Sequence, residues 1–296
     1  MKYKTSAITA FYVLKHPESQ FELISGGKDL HTHIMFTLNH YIWMAASLLL
    51  IIFFLWYVSR KKYSLNDILT ACCIICVVSE VTKILCSIQI VSSADGTWFT
   101  PYLPTSCMPL HLCSLQILTV FYTRFSKNEK NRTIILGYMY PTCIIGALNA
   151  ILLPSVFNAE VTVDQAFTHP IVYQYFLFHT MLIFLGICIV KSKEIQLERK
   201  HYKSTMIILG LEYFCSLYVN SILAAPVYKN GILQSVEFTP NYFLSYHTPL
   251  GFRLTQKWQW LLYVFVLVAL SFIIIRLMYI PIYKRNPQKC SSFRGK

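Results

Sequence analysis

The sequence predicts an all-α fold: a polytopic transmembrane helical bundle of seven spans, with the N-terminus outside and the C-terminus cytoplasmic. Three observations carry that expectation. Of 296 residues, 55% are apolar and 13% charged, and the mean hydropathy of +0.48 lies outside the range of ordinary soluble domains. Seven stretches reach the roughly 20 mostly apolar residues that a helix needs to cross the hydrocarbon. Lys and Arg collect in every second loop, which insertion ties to the cytoplasmic side.

The elements follow in chain order. Residues 1–40 scatter Lys, Glu and His among short apolar runs, which predicts an external segment without a cleavable signal peptide. Within it, Ser25 to Gly27 form a turn, and His31, Thr32 and His33 lead into the first span. The membrane domain, 41–283, holds spans at 41–58, 68–91, 103–122, 133–153, 171–190, 205–225 and 258–280. A basic cytoplasmic tail, 284–296, closes the chain. Arg60, Lys61 and Lys62 follow span one; Arg124, Lys127, Lys130 and Arg132 follow span three; Lys191, Lys193, Arg199, Lys200 and Lys203 follow span five. The loops at 92–102 and 154–170 carry no Lys or Arg, and the long external loop at 226–257 carries three. That loop, with Pro240, Asn241, Tyr242 and Phe243, is long enough to fold over the outer face.

The net charge of +13 is dispersed at helix ends and forms no basic patch interleaved with aromatics, so nucleic acid is not an expected partner. Membrane lipids are, and Trp56, Tyr57, Trp98, Trp258 and Trp260 near the span ends fit an interfacial belt. A multi-pass protein of the cell membrane is the expected setting. Cys72, Cys73, Cys76, Cys86, Cys143, Cys188 and Cys215 lie in apolar spans, where Cys is a small hydrophobe. Cys107 and Cys113 stand apart, beside polar groups at the entrance to span three. No cofactor is expected. A metal centre joining His33, His111 and His179 is disfavoured, since no single helix supplies a ligand pair.

Function is sought among polar residues inside the membrane, which are costly there unless they face the bundle interior and find a partner. Glu80 and Lys83, three apart in span two, predict an internal ion pair on one helical face; its structural alternative is a pair that only fixes helix packing. Span three supplies His111, Cys113, Ser114 and Gln116, span four Asn149, span five His179, and span six Glu212, Ser216 and Asn220. At about 1.5 Å per residue, His111, Cys113 and His179 lie roughly 10–15 Å below the outer surface, with Asn149 and Asn220 shallower. An isolated intramembrane His is often only a hydrogen-bonding contact between helices; two at one depth beside a thiol suggest chemistry.

The run Pro109-Leu110-His111-Leu112-Cys113-Ser114-Leu115 resembles the signature of the YwaF-like family of bacterial integral membrane proteins. In order after it come Gly146-Ala147-Leu148-Asn149-Ala150 with Pro154, Tyr175-Phe176 with His179, and Asn241-Tyr242-Phe243-Leu244 with Pro249. The resemblance covers most of the chain from span one onward and implies a compact multi-span helical fold. Distant eukaryotic relatives are associated with acyl transfer between phospholipids through a Cys in span three and a His in span five.

Carried over residue by residue, that resemblance assigns His179 and His111 to the catalytic set, but the relatives' Cys aligns with Leu110. Cys113, one helical turn onward, is the substitute candidate, and Cys107, one turn back, a weaker one. Glu80, Lys83, Asn149, Asn220, Asn241 and Tyr242 are the substrate-binding candidates. Three readings stay open at this level: a lipid acyltransferase with a Cys/His site in the outer half of the bilayer, a transporter or ligand-binding protein using the same polar cluster, and a non-catalytic membrane protein. No phosphate-binding loop, kinase motif set or Gly-x-Ser-x-Gly elbow is present.

Overall fold

A computed structural model describes residues 37–92, 97–157, 161–192, 194–229, 232–237, 241–246 and 256–285. The expected N-terminal segment as far as residue 36, with His31 and His33, lies outside them, as do Pro249 and the tail from 286. The described chain is mostly helical. Its helices are α1 (Leu38–Lys61), α2 (Leu65–Ser87), α3 (Leu112–Phe125), α4 (Glu129–Leu152), α5 (Pro170–Lys191), α6 (Arg199–Leu223) and α7 (Lys257–Arg285). Two antiparallel hairpins join the helices: β1 (Gln89–Ser92) with β2 (Phe99–Tyr102), where β1 takes the residues expected to end span two, and β3 (Ala225–Lys229) with β4 (Ile232–Glu237).

Among the described residues, six helices are long and apolar enough to cross a membrane: α1, α2, α4, α5, α6 and α7. The expected third span is different. Its helix, α3, has 14 residues, or about 21 Å, short of the roughly 30 Å hydrocarbon core. Pro101, Pro104 and Pro109 lack amide donors and disfavour helix in the residues before them. Residues 103–111 accordingly run as extended chain and a short 3-10 turn, Thr105–Cys107.

Local chemistry sets the helix ends. Thr37 Oγ1 accepts the His40 amide before α1, and Lys62 ends that helix in a left-handed conformation at φ 55°. Ser64 and Asp67 form a capping box that starts α2 only three residues later. Asn128 caps α4, and Pro170 occupies the first turn of α5, where its missing amide costs nothing.

Side-chain bonds level the helices at both ends. At the basic end, Arg132 Nε donates to the Thr123 carbonyl (2.9 Å) and Nη2 to Asn66 Oδ1 (2.6 Å), while Arg124 Nε reaches Thr70 Oγ1 (2.6 Å). The end of α3 therefore sits beside the starts of α2 and α4. At the hairpin end, His40 Nε2 bonds the Ile151 carbonyl (2.8 Å) and Trp43 Nε1 donates to the Ala166 carbonyl (3.0 Å).

Helices α4 and α5 are central: 56% and 61% of their apolar windows are buried, against 17% for α1, 11% for α6 and 6% for α7. The peripheral helices turn Phe53, Phe265 and Ile222 outward, as expected of surfaces that meet lipid. Gly186 lets α5 approach α4 closely, since a Cβ there would lie 2.6 Å from Ile144 Cγ1 and 3.0 Å from the Tyr140 carbonyl. Such small-residue contacts are how membrane helices pack without a hydrophobic driving force. We expect Gly186→Ala to lower the detergent-solubilised protein's stability by about 1–3 kcal/mol. Gly210→Ala, where nothing lies within 4 Å of the added carbon, should change it by less than about 0.5 kcal/mol in the same thermal titration.

Candidate functional site

The irregular stretch before α3 lies toward the hairpin end of the bundle, and the expected polar residues divide around it. Non-helical backbone at membrane depth is tolerated where protein buries it or where it lines a cavity. His111 is the N-cap residue of α3 but makes no side-chain capping bond. Cys113, in the second helical position, is partly buried, and its sulfur faces the Ser114 hydroxyl and the first amides of the helix. The amides at a helix start carry partial positive charge, which suits a thiolate.

His179 stands on α5 about 13 Å from the helix start and is almost fully buried. Its Nδ1 lies 2.6 Å from the Tyr175 carbonyl. A carbonyl only accepts, so Nδ1 carries the proton and Nε2 keeps its lone pair. Nε2 has no hydrogen-bond partner among the described residues. The Tyr175 ring lies 4.4 Å from the His179 ring, and its hydroxyl is fixed by donating to the Ala150 carbonyl (3.0 Å) and accepting the Ser155 amide (3.2 Å).

His111 and His179, Cys113 and Tyr175, and Lys83 with both His111 and Cys113 lie within electrostatic range of one another. Lys83 Nζ is 2.7 Å from Glu80 Oε1, both largely shielded, as the three-residue spacing predicts. Lys83 thus brings positive charge to the cluster, with Glu80 balancing it.

The loop between α6 and α7 supplies a cover. The Tyr242 ring packs edge-on against His111 at 4.6 Å, and its hydroxyl donates to the Thr105 carbonyl (2.7 Å). Asn220 on α6 grips the same residue: Tyr242 N–H donates to Asn220 Oδ1 (3.0 Å), and Asn220 Nδ2 donates to the Tyr242 carbonyl (2.9 Å) and to Ser245 Oγ (2.7 Å). Asn241 Oδ1 accepts the Tyr246 amide (3.0 Å), and Tyr263 and Trp260 of α7 donate to the Leu244 and Ser245 carbonyls. Phe243 and Leu244 both stand at φ 55°, a left-handed conformation that costs a β-carbon residue about 1–2 kcal/mol. Residues 241–246 are thus a strained plug pinned by side chains from α6 and α7.

Asn149 does not join the cluster. It is exposed on α4, because helical phase, which depth does not encode, turns it away. Asn220 and Asn241 act on the plug backbone, and Tyr242 is the residue that reaches the cluster.

A second buried network lies below. Tyr138 Oη donates to the Glu212 carboxylate, 2.7 Å from each oxygen. Gln116 Nε2 donates to Tyr138 Oη (3.3 Å) and Thr142 Oγ1 (3.2 Å), while its Oε1 accepts from Cys143 (3.3 Å). Sequence reasoning finds Glu212 and Gln116 but misses Tyr138, because tyrosine in an apolar span carries no signal of its own. Tyr175 is legible in retrospect as the residue one helical turn before His179. Among the described residues, no three His, Cys, Asp or Glu side chains gather as a metal-ligand set.

Neither a curated protein nor a solved structure matches the chain. The model of the TMEM164 family does, over residues 35–279, which takes in α1 to α6, the plug and most of α7. With that match and six apolar helices, this multi-pass integral membrane protein belongs to the TMEM164 family.

Proposed function

We propose that the chain is a phospholipid acyltransferase of the cell membrane that carries the acyl group on Cys113, with His179 as the proton acceptor. The observation that supports this most is the buried His179 ring, whose Nδ1 is committed to the Tyr175 carbonyl while Nε2 has no partner. An unpaired buried nitrogen costs free energy, and a general base is a use for which its lone pair must stay free. The resemblance to the YwaF-like proteins supports His179, since their eukaryotic relatives use a span-five His; the span-three Cys of those relatives aligns with Leu110, so Cys113 is assigned on its place at the start of α3.

In this reading the chain crosses seven times, with residues 103–111 and α3 together making the third crossing. The basic loops are cytoplasmic and the N-terminus is outside, which places Cys113, His111 and His179 in the outer half of the bilayer. His179 Nε2 takes the Cys113 thiol proton, and the thiolate attacks the ester carbonyl carbon of a phospholipid. The carbon–oxygen ester bond breaks, the leaving lysophospholipid oxygen takes the proton from His179, and a thioester remains on Cys113. A second lysophospholipid hydroxyl gives its proton to Nε2 and attacks the thioester. The carbon–sulfur bond breaks, and the thiolate recovers the proton. Burial works against the thiolate, and the helix start and Lys83 offset part of that cost.

The test is transfer of an isotopically labelled acyl chain from phosphatidylcholine to a lysophospholipid in vesicles containing the purified protein. Labelled product that forms with the protein and not without it is the expected result. Its absence across several lysophospholipid head groups, together with lysolipid binding that survives Cys113→Ala and is lost in Lys83→Met, would turn the cluster into a binding site.

A further inference from the structure

A cavity of about 940 Å³ opens sideways between α1, α2 and α5, on the side of α2 and α5 away from the Cys113 cluster. On α2, Ser79 and Thr82 line it, whereas their neighbours Glu80 and Lys83 do not; on α5, Phe178 and Thr180 line it while His179 does not. It runs the length of the helices, from Tyr63 and Asp67 at the basic end to Thr168 and Pro170 at the hairpin end. Its walls are mostly hydrocarbon, including Phe54, Ile75, Val78, Leu177 and Met181, with Gln174 and Tyr173 among the polar residues.

Two buried hydroxyls in those walls, on Ser79 and Thr180, lack an acceptor among the described residues. Ser79 Oγ receives a hydrogen bond from Gln174 Nε2 at 2.6 Å, but its own proton has no acceptor among the described residues. Thr180 Oγ1, on the floor of the groove, has no hydrogen-bond partner there at all. Both residues are at least nine-tenths buried. Helical Ser and Thr ordinarily donate to the carbonyl four residues back, as Ser59 does to Leu55. The groove therefore combines an elongated apolar channel with buried donors that need an oxygen acceptor, and it faces lipid rather than water.

We propose that this groove holds one acyl chain of a membrane glycerophospholipid, with the ester carbonyl oxygen at the level of Ser79. A hydrocarbon tail matches the walls, and the ester supplies the missing acceptor without bringing a donor or a charge of its own. Ser79 lies about 12 Å from the outer end of α2, so the bound lipid is drawn inward relative to its bilayer neighbours. The inference stands on the groove and does not require the thiol chemistry.

The test uses the full chain in phosphatidylcholine nanodiscs doped with phosphatidylcholine bearing a diazirine midway along one acyl chain. After irradiation, the adducts are mapped by peptide mass spectrometry. Adducts on Ile75, Val78 and Leu177 should exceed those on the exposed Phe265 and Phe272 of α7 by about fivefold or more. Val78→Trp, which fills the groove mouth, should cut the groove adducts by a similar factor and leave the α7 adducts unchanged, which also reports that the bundle is intact. Ser79→Ala should lower them about two- to fivefold, and Cys113→Ala should not change them. Equal labelling of the groove and α7, or groove labelling indifferent to Val78→Trp, would overturn the proposal in favour of ordinary boundary lipid. Groove residues left unlabelled while α7 is labelled, in nanodiscs that hold two copies of the chain by native mass spectrometry, would overturn it in favour of a second copy.

Discussion

Cys113→Ala and His179→Ala are each expected to reduce acyl transfer by about 10³-fold or more, without unfolding the bundle. Cys113 is expected to form the thioester, so its loss removes the intermediate and leaves only binding. His179 works through proton transfer, a contribution of typically about 10²–10⁴-fold, and here no other base occupies its position. Its Nδ1 bond goes to a backbone carbonyl, so the ring's orientation survives changes to neighbouring side chains. His179→Gln therefore tests chemistry rather than packing, because it keeps a polar group of similar size and loses the base. Cys107→Ala should leave transfer within about twofold, since Cys107 ends the 3-10 turn ahead of the helix and lacks the helix-start position of Cys113. Rates are read from labelled phospholipid formed per unit protein, with thermal unfolding as the control.

Asn220→Leu should release the plug. The side chain holds Tyr242 through both its amide and its carbonyl and also binds Ser245. Leucine has similar bulk but leaves those buried groups unpaired, at about 1–3 kcal/mol each. The two left-handed residues that follow, Phe243 and Leu244, push in the same direction, because the strain they hold is relieved when the segment leaves. A local loss of 2 kcal/mol corresponds to about a 30-fold rise in amide hydrogen exchange over residues 241–246. Exchange in α4 and α5 should be unchanged. If the plug exchanges at the native rate in Asn220→Leu, Asn220 is not what holds it. Because Tyr242 covers His111, the same variant should also change lysolipid access, read as a shift in KM without a matching loss in kcat.

Much of the bundle is legible in the sequence because hydropathy reports directly on the cost of exposing polar groups in hydrocarbon. Six spans match helices that start and stop within about two turns of the expected limits: 41–58 is α1, 68–91 is α2 as far as Ser87, 133–153 is α4, 171–190 is α5, 205–225 is α6, and 258–280 lies inside α7. The segment at 103–122 misleads for a physical reason. Leu103, Leu110 and Leu112 count as apolar wherever they lie, whereas Pro104 and Pro109 act on backbone hydrogen bonding, which a hydropathy sum does not include.

The site divides in the same way. Glu80–Lys83 follows from helical spacing alone and is present at the expected interval. Asn149 shows the limit of depth as a guide, since the face it occupies depends on the rotation of α4 against its neighbours. Tyr138–Glu212 and Asn220–Tyr242 join residues 74 and 22 apart in the chain, and nothing local marks either partner for the other.

The most direct test is the thioester itself. The purified protein is incubated with donor phosphatidylcholine and no lysophospholipid, quenched in acid, and examined by intact and peptide mass spectrometry. One acyl group should appear on Cys113, be removed by hydroxylamine, and disappear when lysophospholipid is added as new phospholipid forms. Transfer that proceeds at the native rate in Cys113→Ala, with no acyl adduct on Cys113 in the native protein, would contradict the account.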